Sequence, residues 1–138
     1  MIPEEKIIEK MRRVLVADPI LNAYVRNRVY CSHPSTINEP QFPAMSIHLL
    51  NSSPAFRNAV FMLITLQLDT WLPASNYDGS DLMKIQGRIR EVMNAQFLTD
   101  GNIPIVVAES QELSSGPYLV EEDTGLLHLP TIYRMVIK

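Results

Sequence analysis

From Phe61 to Leu72 the chain alternates. Met62, Ile64, Leu66, Leu68 and Leu72 fall on one side with Thr70, while Phe61, Leu63, Thr65, Gln67, Asp69 and Trp71 fall on the other. Strand side chains point to opposite faces with period 2, so the first set predicts a core face. Turn formers fill Pro73 to Gly79, and Asp78 or Ser80 is placed to cap a helix. From about residue 80 to 97 the period lengthens. Leu82, Ile85, Ile89, Val92, Met93, Gln96 and Phe97 form a helical stripe, with Lys84, Arg88, Arg90 and Glu91 mostly off it. A strand with one apolar face and a helix with one apolar stripe bury each other.

The remaining elements gather around that pair. Pro3, Glu4 and Glu5 open a first helix, the acids lying at the positive end of its dipole. Its stripe is Ile7, Ile8, Met11, Val14 and Leu15. Asp18-Pro19 ends that helix and caps a second one reaching about Arg26, with Leu21, Tyr24 and Val25 inward. Val29-Tyr30-Cys31 predicts a short strand. Pro34, Pro40 and Pro43 keep the stretch after it out of any central strand. Ala44 to Leu50 alternates as a strand, and Asn51 to Asn58 predicts a hairpin connection with an extended tip.

After the helix, Thr99 to Asn102 is a turn in which Gly101 can take positive φ. A strand is predicted over Ile103–Ala108. Ser114-Ser-Gly-Pro117 breaks the pattern, Tyr118 to Glu121 resumes it, and Asp123-Thr-Gly125 turns into a last strand, Leu126–Ile137. The expected fold class is α+β: an antiparallel sheet of about four strands, Ala44–Leu50, Phe61–Leu72, Ile103–Ala108 and Leu126–Ile137. The main helix packs on one face, beside short N-terminal helices.

With 138 residues the chain is expected to form one domain, residues 1–138, able to bury roughly two-thirds of its unfolded surface. A net charge of −3 argues against a general nucleic-acid binder, and Arg12-Arg13 with Arg26 and Arg28 read as a solvated helical face. The single cysteine, Cys31, excludes an internal disulfide and fits a reducing compartment. No window approaches the roughly 18 uncharged apolar residues of a membrane helix. No basic-then-apolar leader is seen, so synthesis in the cytosol is expected.

Candidate chemistry is thin. Cys31-x-His33, with His48 and His128 elsewhere, is one loose pair where structural zinc needs paired ligands at short spacing. Cys31 is read as a small buried apolar residue rather than a nucleophile, and His48 as a partly exposed sheet residue. Asn76, Asp78, Ser80 and Asp81 are explained by helix capping rather than calcium. Scattered single glycines give no phosphate loop. No catalytic residue, metal or cofactor is expected, and the chain is not read as an enzyme. Phe61, Leu63 and Trp71 put much apolar surface on the mixed strand face, which points to a subunit interface. The proline-rich loop and the Asn51–Asn58 tip, long for this size, also suggest self-assembly.

Several segments resemble one family. Ala17-Asp-Pro-Ile-Leu-Asn-Ala-Tyr-Val25, then Arg28-Val-Tyr30, is similar to the opening of the tail terminators of long-tailed bacteriophages. Phe42-Pro-Ala-Met-Ser-Ile47 resembles their second segment. Leu66-Gln-Leu-Asp-Thr-Trp71, a turn, and Leu82, Ile85, Ile89 and Val92 resemble their strand ending in tryptophan before an amphipathic helix. The stretch from Asp123-Thr-Gly125 to Ile137 also fits. Ala44 stands where an aromatic is commoner, and Ser32–Gln41 and Ser110–Glu121 have no counterpart.

The resemblance implies a structural virion protein at the head-proximal end of the tail, assembled in the host cytoplasm. It would form a hexameric ring on the tail-tube protein, end tube polymerisation and meet the head-tail connector protein. DNA would pass through the lumen without sequence recognition, which an acidic subunit suits because a basic lumen would hold the phosphates. No membrane partner is implied. Three alternatives stand beside it. One is a head-completion or neck protein. Another is a small cytosolic enzyme or ligand-binding domain with a pocket beneath Ser32–Pro43. The third is a dimeric adaptor pairing through a sheet edge.

Overall fold

A computed structural model describes residues 4–31, 41–54, 61–93, 107–116 and 118–137. Pro3, His33, Pro34, Pro40, the loop tip at 55–58, Gln96, Phe97, the turn at 99–102 and the strand start at 103–106 lie outside them. The elements in chain order are α1 (Glu4–Ala17), α2 (Pro19–Val25), β1 (Val29–Tyr30), β2 (Ala44–Pro54), β3 (Met62–Pro73), α3 (Gly79–Val92), β4 (Val107–Ser115), β5 (Leu119–Glu121) and β6 (Leu126–Ile137).

Both anticipated caps form. The Asp18 carboxylate accepts the Leu21 amide at 3.0 Å with Pro19 in the first turn of α2, and Asp78 and Asp81 bond each other's backbone amides at 3.2 and 3.0 Å to open α3. The Arg88 guanidinium forks onto Asp18 with Nε–O distances of 3.0 Å, tying α3 to the α1–α2 junction. Burial opposes ionisation of Asp18. The Arg88 and Leu21 hydrogen bonds outweigh it and hold the carboxyl below its ordinary range.

Arg26, just past α2, takes φ 53°, ψ −121°, a region that disfavours a residue with a Cβ. The Asn22 side-chain amide holds that bend by donating to Arg26 O and Val16 O, both at 3.1 Å. Arg26→Gly should raise stability by up to about 1 kcal/mol. Thermal unfolding checks it: a gain of roughly 3–5 °C is expected, and a lower Tm would show that no strain is stored there.

The sheet is larger than expected and mixed. Its order is β1-β2-β3-β6-β4, with β5 also on β6; β1 runs parallel to β2, and every other pair is antiparallel. Central β3 places Leu66 between Leu49 and Tyr133. Two strands differ from the sequence reading. β2 continues past Leu50 to Pro54, because a bulge between Leu49 and Asn51 shifts the register and lets polar Asn51, Ser52 and Ser53 pair with β3. β4 runs through Glu109–Ser115, a polar stretch that an edge strand tolerates because it pairs on one side only.

The core lies between one sheet face and the helices. Ile7, Met11 and Leu15 of α1, Leu21 and Val25 of α2, and Leu82, Ile85, Ile89 and Val92 of α3 share one cluster with Ile47, Ile64, Leu66, Leu68 and Met135. Lys10 is also buried on the α1 stripe. Cys31 corrects the expectation made for it: the thiol-bearing residue follows a two-residue edge strand and is exposed. No helix among the described residues is long and apolar enough to cross a membrane.

Candidate functional site

The second sheet face has no helix of the described residues packed on it, and it carries Leu63 and Trp71, two of the three residues singled out as an interface. Paired residues of antiparallel strands share a face. The register therefore groups Ser46 and His48 of β2, Leu63, Gln67, Asp69 and Trp71 of β3, and His128, Ile132 and Val136 of β6.

At one end of this face sits a polar cluster. Asp69 Oδ1 meets His128 Nε2 at 2.8 Å, Oδ2 meets His48 Nε2 at 3.4 Å, and the Gln67 amide donates to both oxygens at 3.0 and 3.2 Å. One buried carboxylate so joins three adjacent strands. Burial opposes its ionisation. Hydrogen bonds from His128 and Gln67 and the charges of the two imidazoles prevail, holding the Asp69 carboxyl below its ordinary range. Trp71 stacks flat on His128, with centroids 3.8 Å apart and planes 1° from parallel, and its indole N–H donates to Ser46 Oγ at 3.3 Å.

A carboxylate orienting an imidazole is half of a nucleophile-activating device. Here both carboxylate oxygens are already occupied, and Ser46, the nearby hydroxyl, is engaged by Trp71. Among the described residues no group of three His, Cys, Asp or Glu side chains is placed to hold a metal ion. What the cluster does is clamp β2, β3 and β6 on the face that lacks helices.

The three expected interface residues separate. Leu63 lies about 26 Å along β3 from Trp71, half-buried between Ser53 and Val136. Phe61, just before β3, is half-buried too. Trp71, expected at a subunit interface, is 2% exposed within the single subunit, where His128 stacks on it.

The apolar surface that is exposed lies elsewhere. Leu113 of β4, Leu119 and Val120 of β5, and Tyr118 just before β5, whose ring lies beside Gly79 of α3, are all 48% to 55% exposed along the edge that β4 and β5 form on β6. Gly116, at φ +88°, makes the kink between those strands, and its amide bonds Pro130 O at 2.8 Å.

With this geometry the chain is similar to a chain in the structure of the virion of a native gene transfer agent particle. The TM-score is 0.65 at 11% identity, over 91% of this chain and 89% of that one. The two share a fold. The sequence matches no family profile and no curated protein. At 11% identity the site residues have to be read from this chain itself. The edge residues went unnoticed in the sequence. Their signal was an apolar triplet, Tyr118-Leu119-Val120, set in a stretch otherwise dominated by polar and acidic residues.

Proposed function

We propose that this protein is a structural component of a virion and, more specifically, a tail terminator. Copies form a ring, hexameric by the family resemblance, on the last turn of a tail tube, end its growth and offer a surface to the head connector. The observation that carries the virion role is the fold shared over 91% of the chain with a protein of a gene transfer agent virion. The segment-by-segment resemblance to tail terminators supports the finer role. A chain of net charge −3 is compatible with DNA sliding past, since phosphates are not retained by it.

Two experiments test it. Purified protein added to its cognate tail-tube protein should give tubes capped at one end and limit their length. Deleting the gene should give overlong tails and non-infectious particles. Normal tail length with infectious virions after deletion would remove the terminator role. Binding to connectors but not to tubes would favour a neck protein.

A further inference from the structure

The described strands leave the sheet with two unlike ends. At one end β1 is only two residues long, and Arg12 lies across it: Nε donates to Val29 O at 3.0 Å and a terminal nitrogen to Asn27 O at 3.1 Å. A cation bonded to outward carbonyls blocks further strand pairing there. Past Ser46, β1 no longer covers β2, and Leu50 stands exposed at the bulge. At the other end, β4 and β5 pair with β6 on one side only, and no described strand meets their outer side. Four of the seven exposed large apolar residues among the described ones lie on this edge, a concentration that a solvated edge would not favour.

Charge divides in the same way. Between Val107 and Gly125 there are five carboxylates (Glu109, Glu112, Glu121, Glu122 and Asp123) and no cation. From Glu4 to Cys31, six cations outnumber four carboxylates, and Asp18 among the latter is already neutralised by Arg88. The strand order puts these segments at opposite ends, four strand spacings or about 19 Å apart. Glu112 is paired with Arg90 within the subunit, and two β4–β5 edges brought together by a two-fold axis would set the other four carboxylates against their own copies. An acidic edge meeting a basic end suffers no such repulsion.

We propose that the β4–β5 edge docks, head to tail, on the α1–β1–β2 end of a second copy of this chain. Leu119, on the face of His128, and Val120, on the face of Leu127, supply apolar contacts on either side of the edge strand, with Leu50 opposite them, and Glu122 and Asp123 face Arg13 and Arg26. The contact is heterologous, so repeated docking closes into a ring when the rotation allows. Closure rests on the ring reading above; the choice of surfaces does not.

Solution mass and negative-stain images of four proteins test it. Wild type should form closed rings. Leu119→Lys with Val120→Lys should keep the wild-type Tm within a few degrees and weaken self-association about a hundredfold. Glu122→Arg with Asp123→Arg should also weaken it. Adding Arg13→Glu and Arg26→Glu to that same chain should restore rings, because only a head-to-tail contact regains complementarity when both ends are reversed. Rings that survive the double lysine variant overturn the inference and leave the ring reading standing. Failure of the fourfold variant to recover, with both edge variants folded and monomeric, overturns the head-to-tail pairing. A wild type that stays monomeric up to its solubility limit and forms no ring on added tail-tube protein overturns both.

Discussion

Leu66→Asp should yield insoluble or molten protein, while Leu63→Asp on the same strand should stay folded. Leu66 is fully buried between Leu49 and Tyr133 on the face under the helices. The substitution forfeits about 2 kcal/mol of apolar burial and adds a carboxylate with no donor; together these cost on the order of 5 kcal/mol or more. Domains of this size are stable by roughly 5–15 kcal/mol, so the native state should be lost or barely populated. Leu63 points to the opposite face, where it is half-buried and a charge keeps access to water. Its replacement should cost about 1–2 kcal/mol. Thermal unfolding and soluble yield, measured side by side, decide. Equal damage from both would mean that a second core covers the face without helices.

Asp69→Ala should be the most damaging polar substitution on that second face. The carboxylate is hydrogen-bonded by Gln67 and His128 and lies 3.4 Å from His48, and its removal leaves part-buried groups on three strands without it. A hydrogen bond to a charged group contributes about 1.5–3 kcal/mol, and coupled bonds do not add, so a loss of about 2–4 kcal/mol is expected. In a chain of this size that lowers Tm on the order of 10 °C.

The effect depends on pH with a definite sign. The folded carboxyl is held below its unfolded value, so its contribution is complete above about pH 4. It is lost as pH falls through the folded value. Asp69→Asn keeps the shape and removes the charge. Its stability deficit should therefore be full above about pH 4 and shrink as pH falls below it. A deficit that stays constant through that fall would show that the ionised form contributes nothing.

Regular alternation and period made β3, β6 and α3 legible from residues alone. β3 matches its expected span within a residue, β6 matches it fully, and α3 matches through Val92. Legibility failed where a strand is polar or out of phase. Asn51-Ser-Ser looks like a loop until the bulge at Leu50 is known, and Glu109–Ser115 has mostly polar side chains with no apolar alternation to mark it as a strand. The candidate site was harder still. Asp69, His48 and His128 are far apart in sequence, and their convergence depends on β6 lying beside β3, which no local pattern encodes. The burial of Trp71 was hidden for the same reason: the ring that covers it belongs to His128, 57 positions later.

β6 is the last described strand to be made, yet it lies inside the sheet, paired with β3 along one edge and with β4 and β5 along the other. During translation the neighbours must wait for it. At about 5–20 residues per second, the stretch from Pro73 to Leu126 takes roughly 3–10 s to emerge. All that time the β3 edge, with Leu66 and Leu68 on its apolar face, has no partner on that side. The nascent subunit cannot assemble its sheet by adding strands outward in chain order. It must hold a gap and fill it late, so a ribosome that stalls before Leu126 leaves a sticky intermediate for chaperones to shield.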